Sequence, residues 1–198
     1  EPDRFQVLSH GEPVTTVTWS QTGVHNQLNA LAAIAAAQHV GVAPAMAAQA
    51  LATFDGVRRR MELRGSIRLA GHSASDAPVL VYDDFAHHPT AIRTTLDGLR
   101  RKIGPAARIL AVFEPRTNTM KLGVFKDSLA PALVAADAVV LYQAPDLGWD
   151  LDAVATALGP RGQVCHSLDD TLAAIQAHAK PGTQVLIMSN GGFGGIHE

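Results

Sequence analysis

Residues 79–89 read VLVYDDFAHHP, and few architectures accommodate such a passage. Its first half, short, apolar and rich in β-branched and aromatic residues, reads as a buried strand. It runs without a spacer into two carboxylates, two histidines and a proline. In an open α/β sheet, ligands sit just outside the carboxyl ends of the strands. Asp83, Asp84, His87 and His88 therefore fall where such a sheet does its chemistry. Pro89 suits the first turn of a following helix, where a missing N–H costs nothing.

The flanking chain has the texture this requires. Strand-like runs at 67–70, 79–84, 108–113, 138–142, 163–166 and 184–188 alternate with helix-like runs at 90–103, 122–136, 151–158 and 169–179. Asp169 is a candidate cap for the last of these helices. Such alternation predicts an α/β fold with a Rossmann-like, doubly wound, mainly parallel sheet. The first sixty residues differ. VTTVTW within 5–20 alternates as antiparallel strands do, with a turn expected at Gly11-Glu12-Pro13. An alanine-rich run to Val40, apolar on nearly all sides, predicts a buried helix ended by Gly41. A second helix is expected over 44–54, with Pro44 in its first turn. The texture changes near 56–64, where a domain boundary is expected.

Composition narrows the function. A net charge of −2 gives no electrostatic case for nucleic acid. The single cysteine, Cys165, rules out a disulfide framework within the chain and suits a reducing cytosol. No apolar run approaches the ~20 residues of a membrane helix. The chain opens on Glu1, not methionine, in strand-like sequence, and a piece of a longer protein is expected.

Several groups can carry chemistry. A carboxylate at a strand end, as Asp83 and Asp84 are, can accept two bonds from a ribose diol, bind a metal, or simply cap a turn. His87 and His88 suit proton transfer, phosphate binding or metal ligation, and equally a hydrogen-bonded loop. With no cysteine cluster or H-x-x-x-H nearby, zinc is disfavoured and no metal site is assigned. Arg58-Arg59-Arg60 suits phosphate or carboxylate, or a solvated hinge. Glu114–Lys121, EPRTNTMK, brings Arg116, Asn118 and Lys121 to a second strand end. Two polar loops after strands of one sheet would line one crevice. The SNGGFGG passage from Ser189 places Asn190, Gly191 and Gly192 after the last strand, with N–H groups able to cradle an anion or merely turn the chain. His25, Asn26 and Asn29 open the first helix; an asparagine there can pair with an adenine edge or cap. No G-x-x-x-x-G-K-[ST] occurs, so this segment cannot itself grip a β/γ-phosphate as a P-loop does.

Assembled in order, GVHNQLNALAA (23–33), FDGVRRRMEL (54–63), VYDDFAHHPTAI (81–92) and EPRTNTMK (114–121) resemble the C-terminal part of a Mur ligase across nearly the whole chain. The resemblance implies residues 1–60 as the end of a central ATPase domain and 61–198 as the C-terminal Rossmann-like domain. It implies ATP and Mg2+ as cofactors, with Mg2+ ligands mainly on other parts of the protein, and a monomeric cytoplasmic enzyme without nucleic-acid or membrane partners. The lactyl carboxylate is activated as an acyl phosphate and then attacked by an amine. EPRTNTMKLG and MSNGGFGGIH (188–197) resemble the members that join UDP-N-acetylmuramate to the tripeptide L-alanyl-γ-D-glutamyl-meso-diaminopimelate in peptidoglycan recycling. The runner-up is the type that adds L-alanine; from another class, a non-catalytic nucleotide- or peptide-binding module. By resemblance, His25, Asn26 and Asn29 sit near adenine, Asp84 binds ribose and Arg60 reaches the nucleotide. His87 faces the reaction centre as the catalytic residue. His88, Arg116, Asn118, Lys121, Asn190, Gly191 and Gly192 help hold the peptide. The chain alone, lacking a P-loop, is expected to be inactive.

Overall fold

The computed structural model describes residues 4–196; His197, at the end of the MSNGGFGGIH motif, lies outside them. β1 (Arg4–Ser9) and β2 (Glu12–Thr18) form an antiparallel hairpin. Its turn is His10-Gly11, both at positive φ (52° and 87°), the two-residue geometry whose twist matches the strands. The reversal thus comes earlier than expected, and Pro13 lies inside β2 opposite Leu8, where the register shifts.

α1 (Val24–His39) and α2 (Pro44–Leu51) cover the hairpin over a small core of Val7, Val17, Trp19, Ala30, Ile34 and Ala48. The expectation of a buried α1 is corrected: only Ala30 and Ile34 are buried, while Leu28 remains 60% exposed. Alanine methyls define no broad apolar stripe, so the helix seats on the single i, i+4 pair that reaches the hairpin.

β3 (Glu62–Ile67), β4 (Val79–Asp84), β5 (Ile109–Phe113), β6 (Ala138–Tyr142), β7 (Gly162–Cys165) and β8 (Gln184–Met188) form one sheet in the order β3-β4-β8-β5-β6-β7. Only the β3–β4 pair is antiparallel. Side chains of β5 alternate between two cores, as a strand buried on both faces requires. Ile109, Ala111 and Phe113 meet α3 (Pro89–Ile103), α5 (Lys126–Ala132) and α6 (Asp152–Leu158). Leu110 and Val112 face the side covered by α7 (Leu168–His178). The mainly parallel α/β sheet is as expected.

Three element boundaries differ. The strand expected at 67–70 lies earlier, as β3, because ELRGSI pairs along β4 as an edge strand. The helix expected over 122–136 is shorter, as α5; a separate turn of helix, α4 (Asn118–Lys121), precedes it, and Gly123, whose φ of 71° suits glycine, lies between the two. α7 is capped by Ser167, whose side chain accepts from Asp170 N, so Asp169 lies in the first turn and is not the cap.

One buttress behind the sheet is testable. Asp137 Oδ2 accepts from Ile109 N at 2.7 Å and from the Arg100 guanidinium at 2.5 Å, joining α3, β5 and the start of β6. Burial pushes its carboxyl up, but the Ile109 N–H and Arg100 outweigh that and hold it below the ordinary 3.8. A depressed folded-state pKa contributes stability above the unfolded value and loses it as pH falls through the folded one. Asp137→Ala is expected to cost about 1 kcal/mol at pH 7, a figure discounted for solvent screening of an exposed pair. Urea melts below the depressed value should show that difference gone.

Candidate functional site

The insertion of β8 between β4 and β5 brings three strand ends side by side. β4 delivers Asp83 and Asp84, β5 delivers Glu114 to Lys121, and β8 delivers the Ser189–Gly195 turn. All lie at carboxyl ends of parallel strands, where side chains and loop N–H groups face outward together.

The two aspartates have separate jobs. Asp83, buried, pairs with Arg59 Nε at 2.9 Å, and Arg59 also donates to Ser189 O at 2.8 Å. Asp84 accepts from Met61 N and Ala86 N, each at 2.8 Å. Its Oδ1 also accepts from Thr95 Oγ1 at 3.5 Å, its Oδ2 retains a further lone pair, and the carboxylate lines a cavity of about 550 Å³. Burial pushes the Asp84 carboxyl above the ordinary 3.8, against the pull of the two N–H groups, Arg60 and His25.

That cavity lies between the sheet and the hairpin–α1–α2 unit. His25, Asn26 and Asn29 line it from α1, Arg60 and Met61 from the linker, Asp84 from β4, and Thr94 and Thr95 from α3. Trp19, Leu51, Phe54 and Val57 supply its apolar wall. Burial holds His25 below the ordinary 6.5, with Asp84 opposing and Arg60 reinforcing. The pocket therefore presents a neutral imidazole, amides, one guanidinium and one carboxylate around an apolar slot. That combination suits a flat heteroaromatic ring carrying a polyhydroxylated, anionic tail. The five residues expected beside a nucleotide, separated by up to 59 positions of sequence, all line this cavity.

The other expected residues divide. Arg116 and Lys121 line a smaller cavity of about 220 Å³ with Glu114, Tyr142 and Asp146; Lys121 pairs with Asp146. Gly191 packs against the Arg116 side chain: a Cβ there would lie 2.4 Å from Arg116 Cδ. Asn190 Oδ1 is buried with no partner among the described residues, and Gly192 is exposed in the same turn. Asn118 opens α4, exposed, and lines neither cavity. His88 stands apart: its Nδ1 accepts from Thr90 N at 3.2 Å, capping α3, and its ring meets Phe125 edge-on. His87 is half-buried, and its Nδ1 lies 2.8 Å from Phe85 O. A carbonyl only accepts, so Nδ1 carries the proton and Nε2 is the atom open to exchange in the neutral ring. Among the described residues no group of three His, Cys, Asp or Glu side chains could hold a metal ion.

Sequence reasoning named Arg59 only as one of three arginines and gave Ser189 no role of its own. Nothing in RRR separates its middle arginine from its neighbours. Only the fold shows that Arg59, at φ 58°, turns inward while Arg60 faces the cavity.

Known proteins resemble this chain over most of its length. A family profile described as "Mur ligase, glutamate ligase domain" matches residues 59–191. The UDP-N-acetylmuramate–L-alanyl-γ-D-glutamyl-meso-2,6-diaminoheptandioate ligase of Escherichia coli K12 is 50% identical over all 198 residues, which cover 41% of that protein. A UDP-N-acetylmuramate–L-alanine ligase from Methylococcus capsulatus is 31% identical over 96% of the chain and 41% of its own length. A crystal structure of a murein peptide ligase from Psychrobacter arcticus superposes with a TM-score of 0.66 at 43% identity, over 99% of this chain and 40% of that one. The chain thus spans about two fifths of the length of the relatives it matches.

Proposed function

The chain belongs to the Mur ligase family, and we propose that it is the C-terminal part of an ATP-dependent ligase joining L-alanyl-γ-D-glutamyl-meso-diaminopimelate to UDP-N-acetylmuramate. The cell-wall recycling role goes with that activity. One observation carries the reading: the cavity gathers His25, Asn26, Asn29, Arg60 and Asp84 from both structural units around an apolar slot, while a separate crevice of mixed charge, with Arg116 and Lys121 in it, opens at the β5 end. Identity of 50% to an enzyme of that name, against 31% to an L-alanine ligase, favours the tripeptide over the single amino acid.

In this reading residues 1–60 end the central ATPase domain and 61–198 form the C-terminal domain. The nucleotide's base lies in the slot beside Asn26, Asn29 and His25. A ribose hydroxyl donates to the remaining lone pair of Asp84 Oδ2, and Arg60 meets the phosphates. His87 presents Nε2 to the reacting groups, positioned by the bond from Nδ1–H to Phe85 O. Arg116 takes a peptide carboxylate, with Lys121, Asn118 and the Asn190–Gly192 turn beside it. His88 contributes to peptide binding only through the position of α3, which it caps. We assign the Mg2+ ligands mainly to the rest of the full-length protein, together with the segment that grips the phosphates. The enzyme is taken as a cytoplasmic monomer; no described helix is long and apolar enough to cross a membrane.

The deciding assay supplies full-length enzyme with ATP and UDP-N-acetylmuramate, and compares tripeptide with free L-alanine by phosphate release and product mass. Tripeptide is expected to give the higher kcat/KM by about a hundredfold or more, the discrimination available when a site's charged groups are left unpaired by the wrong substrate. Preference for L-alanine would move the assignment to the L-alanine ligase, and turnover of neither would leave a binding module.

A further inference from the structure

Ser189, fully buried, is tied in four directions. Its N donates to Asp84 O at 3.2 Å, and its carbonyl accepts from Arg59. Its hydroxyl donates to Glu114 Oε2 and accepts from Gly191 N at 3.0 Å. Glu114 is itself only 3% exposed, an unusual place for a carboxylate. Its other oxygen, Oε1, lies 3.5 Å from Arg116 Nη1, and Arg116 rests on Gly191. The chain Gly191–Ser189–Glu114–Arg116 is thus closed by contact between its two ends.

Such a loop of bonds fixes what would otherwise drift. Arg116 is half-exposed, and a guanidinium on a flexible stem loses rotamer entropy whenever it grips an anion. A buried carboxylate behind it restrains the fork before the ligand arrives, and the Ser189 hydroxyl sets the glycine turn against the same side chain. Desolvating Glu114 costs free energy, so its retention calls for a task.

We propose that Glu114 and Ser189 are positioning residues for the peptide substrate, a buried carboxylate–hydroxyl pair that holds Arg116 and the Gly191 turn in binding geometry. The inference rests on the ligase reading above and adds two residues that do not themselves touch the peptide. Because Asp84 meets Ser189 only through its backbone carbonyl, the pair acts on the peptide side and leaves the nucleotide side alone.

In the full-length enzyme, Glu114→Gln and Ser189→Ala are each expected to raise KM for tripeptide about tenfold, the effect of one charge-assisted contact. KM for ATP should move less than about twofold and kcat less than about threefold, because transition-state contacts are untouched. The double variant should be no worse than the worse single, since both cut one chain of bonds. An unchanged tripeptide KM, or equal rises in both KM values, would overturn the inference. Should the buried variants not fold, Gly191→Ala decides it from the turn itself: its methyl group displaces Arg116, and an unchanged tripeptide KM sinks the role. A wild-type enzyme that does not use tripeptide overturns the ligase reading and this inference together. A wild type that does, with indifferent variants, overturns only the positioning pair.

Discussion

Asp84→Ala in the full-length enzyme is expected to raise KM for ATP by about 10- to 100-fold, the equivalent of about 1.5–3 kcal/mol for hydrogen bonds to a charged group. Among the described residues, Asp84 is the only carboxylate lining the cavity shared by the sheet and the hairpin unit. Its oxygens already accept from Met61 N, Ala86 N and Thr95 Oγ1, which fixes the carboxylate plane and leaves a lone pair of Oδ2 for ribose. The same substitution strands two backbone N–H groups, so a drop in stability of about 2 kcal/mol accompanies it. The kinetic test is therefore read against tripeptide KM in the same folded variant. Elevation of ATP KM alone identifies a nucleotide contact; ATP kinetics equal to wild type would remove Asp84 from the ribose.

The second large effect is on stability. Arg59→Ala takes the cation from Asp83, whose side chain is 3% exposed, and a donor from Ser189 O. Removing one partner of a buried pair leaves a charge that water cannot reach, and the expected loss is about 3 kcal/mol. Arg60→Ala, one residue along and exposed, gives up mainly a cation–π contact with Phe85 (5.5 Å to the centroid), worth about 1 kcal/mol or less. Urea unfolding of the 198-residue chain measures both. Comparable losses from the two substitutions would contradict the division of labour assigned to this arginine run.

That division also marks where sequence reading stops. Apolar strands ending in DD and EP were legible because a parallel sheet writes its strands as continuous apolar runs and its chemistry at their ends. The motifs GVHNQLN, RRRMEL and DDFAHH were legible as one family's nucleotide side, and they do share a cavity. What stayed hidden depends on direction. Arg58, Arg59 and Arg60 are one residue type in a row, and only backbone torsion at Arg59 sends that side chain inward. Sequence order suggested one crevice for the 79–84 and 108–113 strand ends; β8 lies between them, and Asp84 and Arg116 line separate cavities. Hence Ser189, an unremarkable residue before four glycines, went unassigned. The exposure of α1 was hidden for a different reason: alanine content reports helix propensity, not which face meets a neighbour.

The place of β8 has a consequence for how the molecule is made. β4 and β5 share no ladder; each is bonded to β8, the last strand described. During synthesis the chain emerges from its N-terminus, so β3–β4 and β5–β6–β7 exist for a time as separate pieces with unpaired edges. Only when residues 184–188 leave the ribosome can the two pieces be zipped into one sheet. Asp84 and Arg116 acquire a fixed separation at that same moment. A message cut short before this strand therefore yields protein without an assembled site and with exposed strand edges, the kind of product that cellular proteases remove.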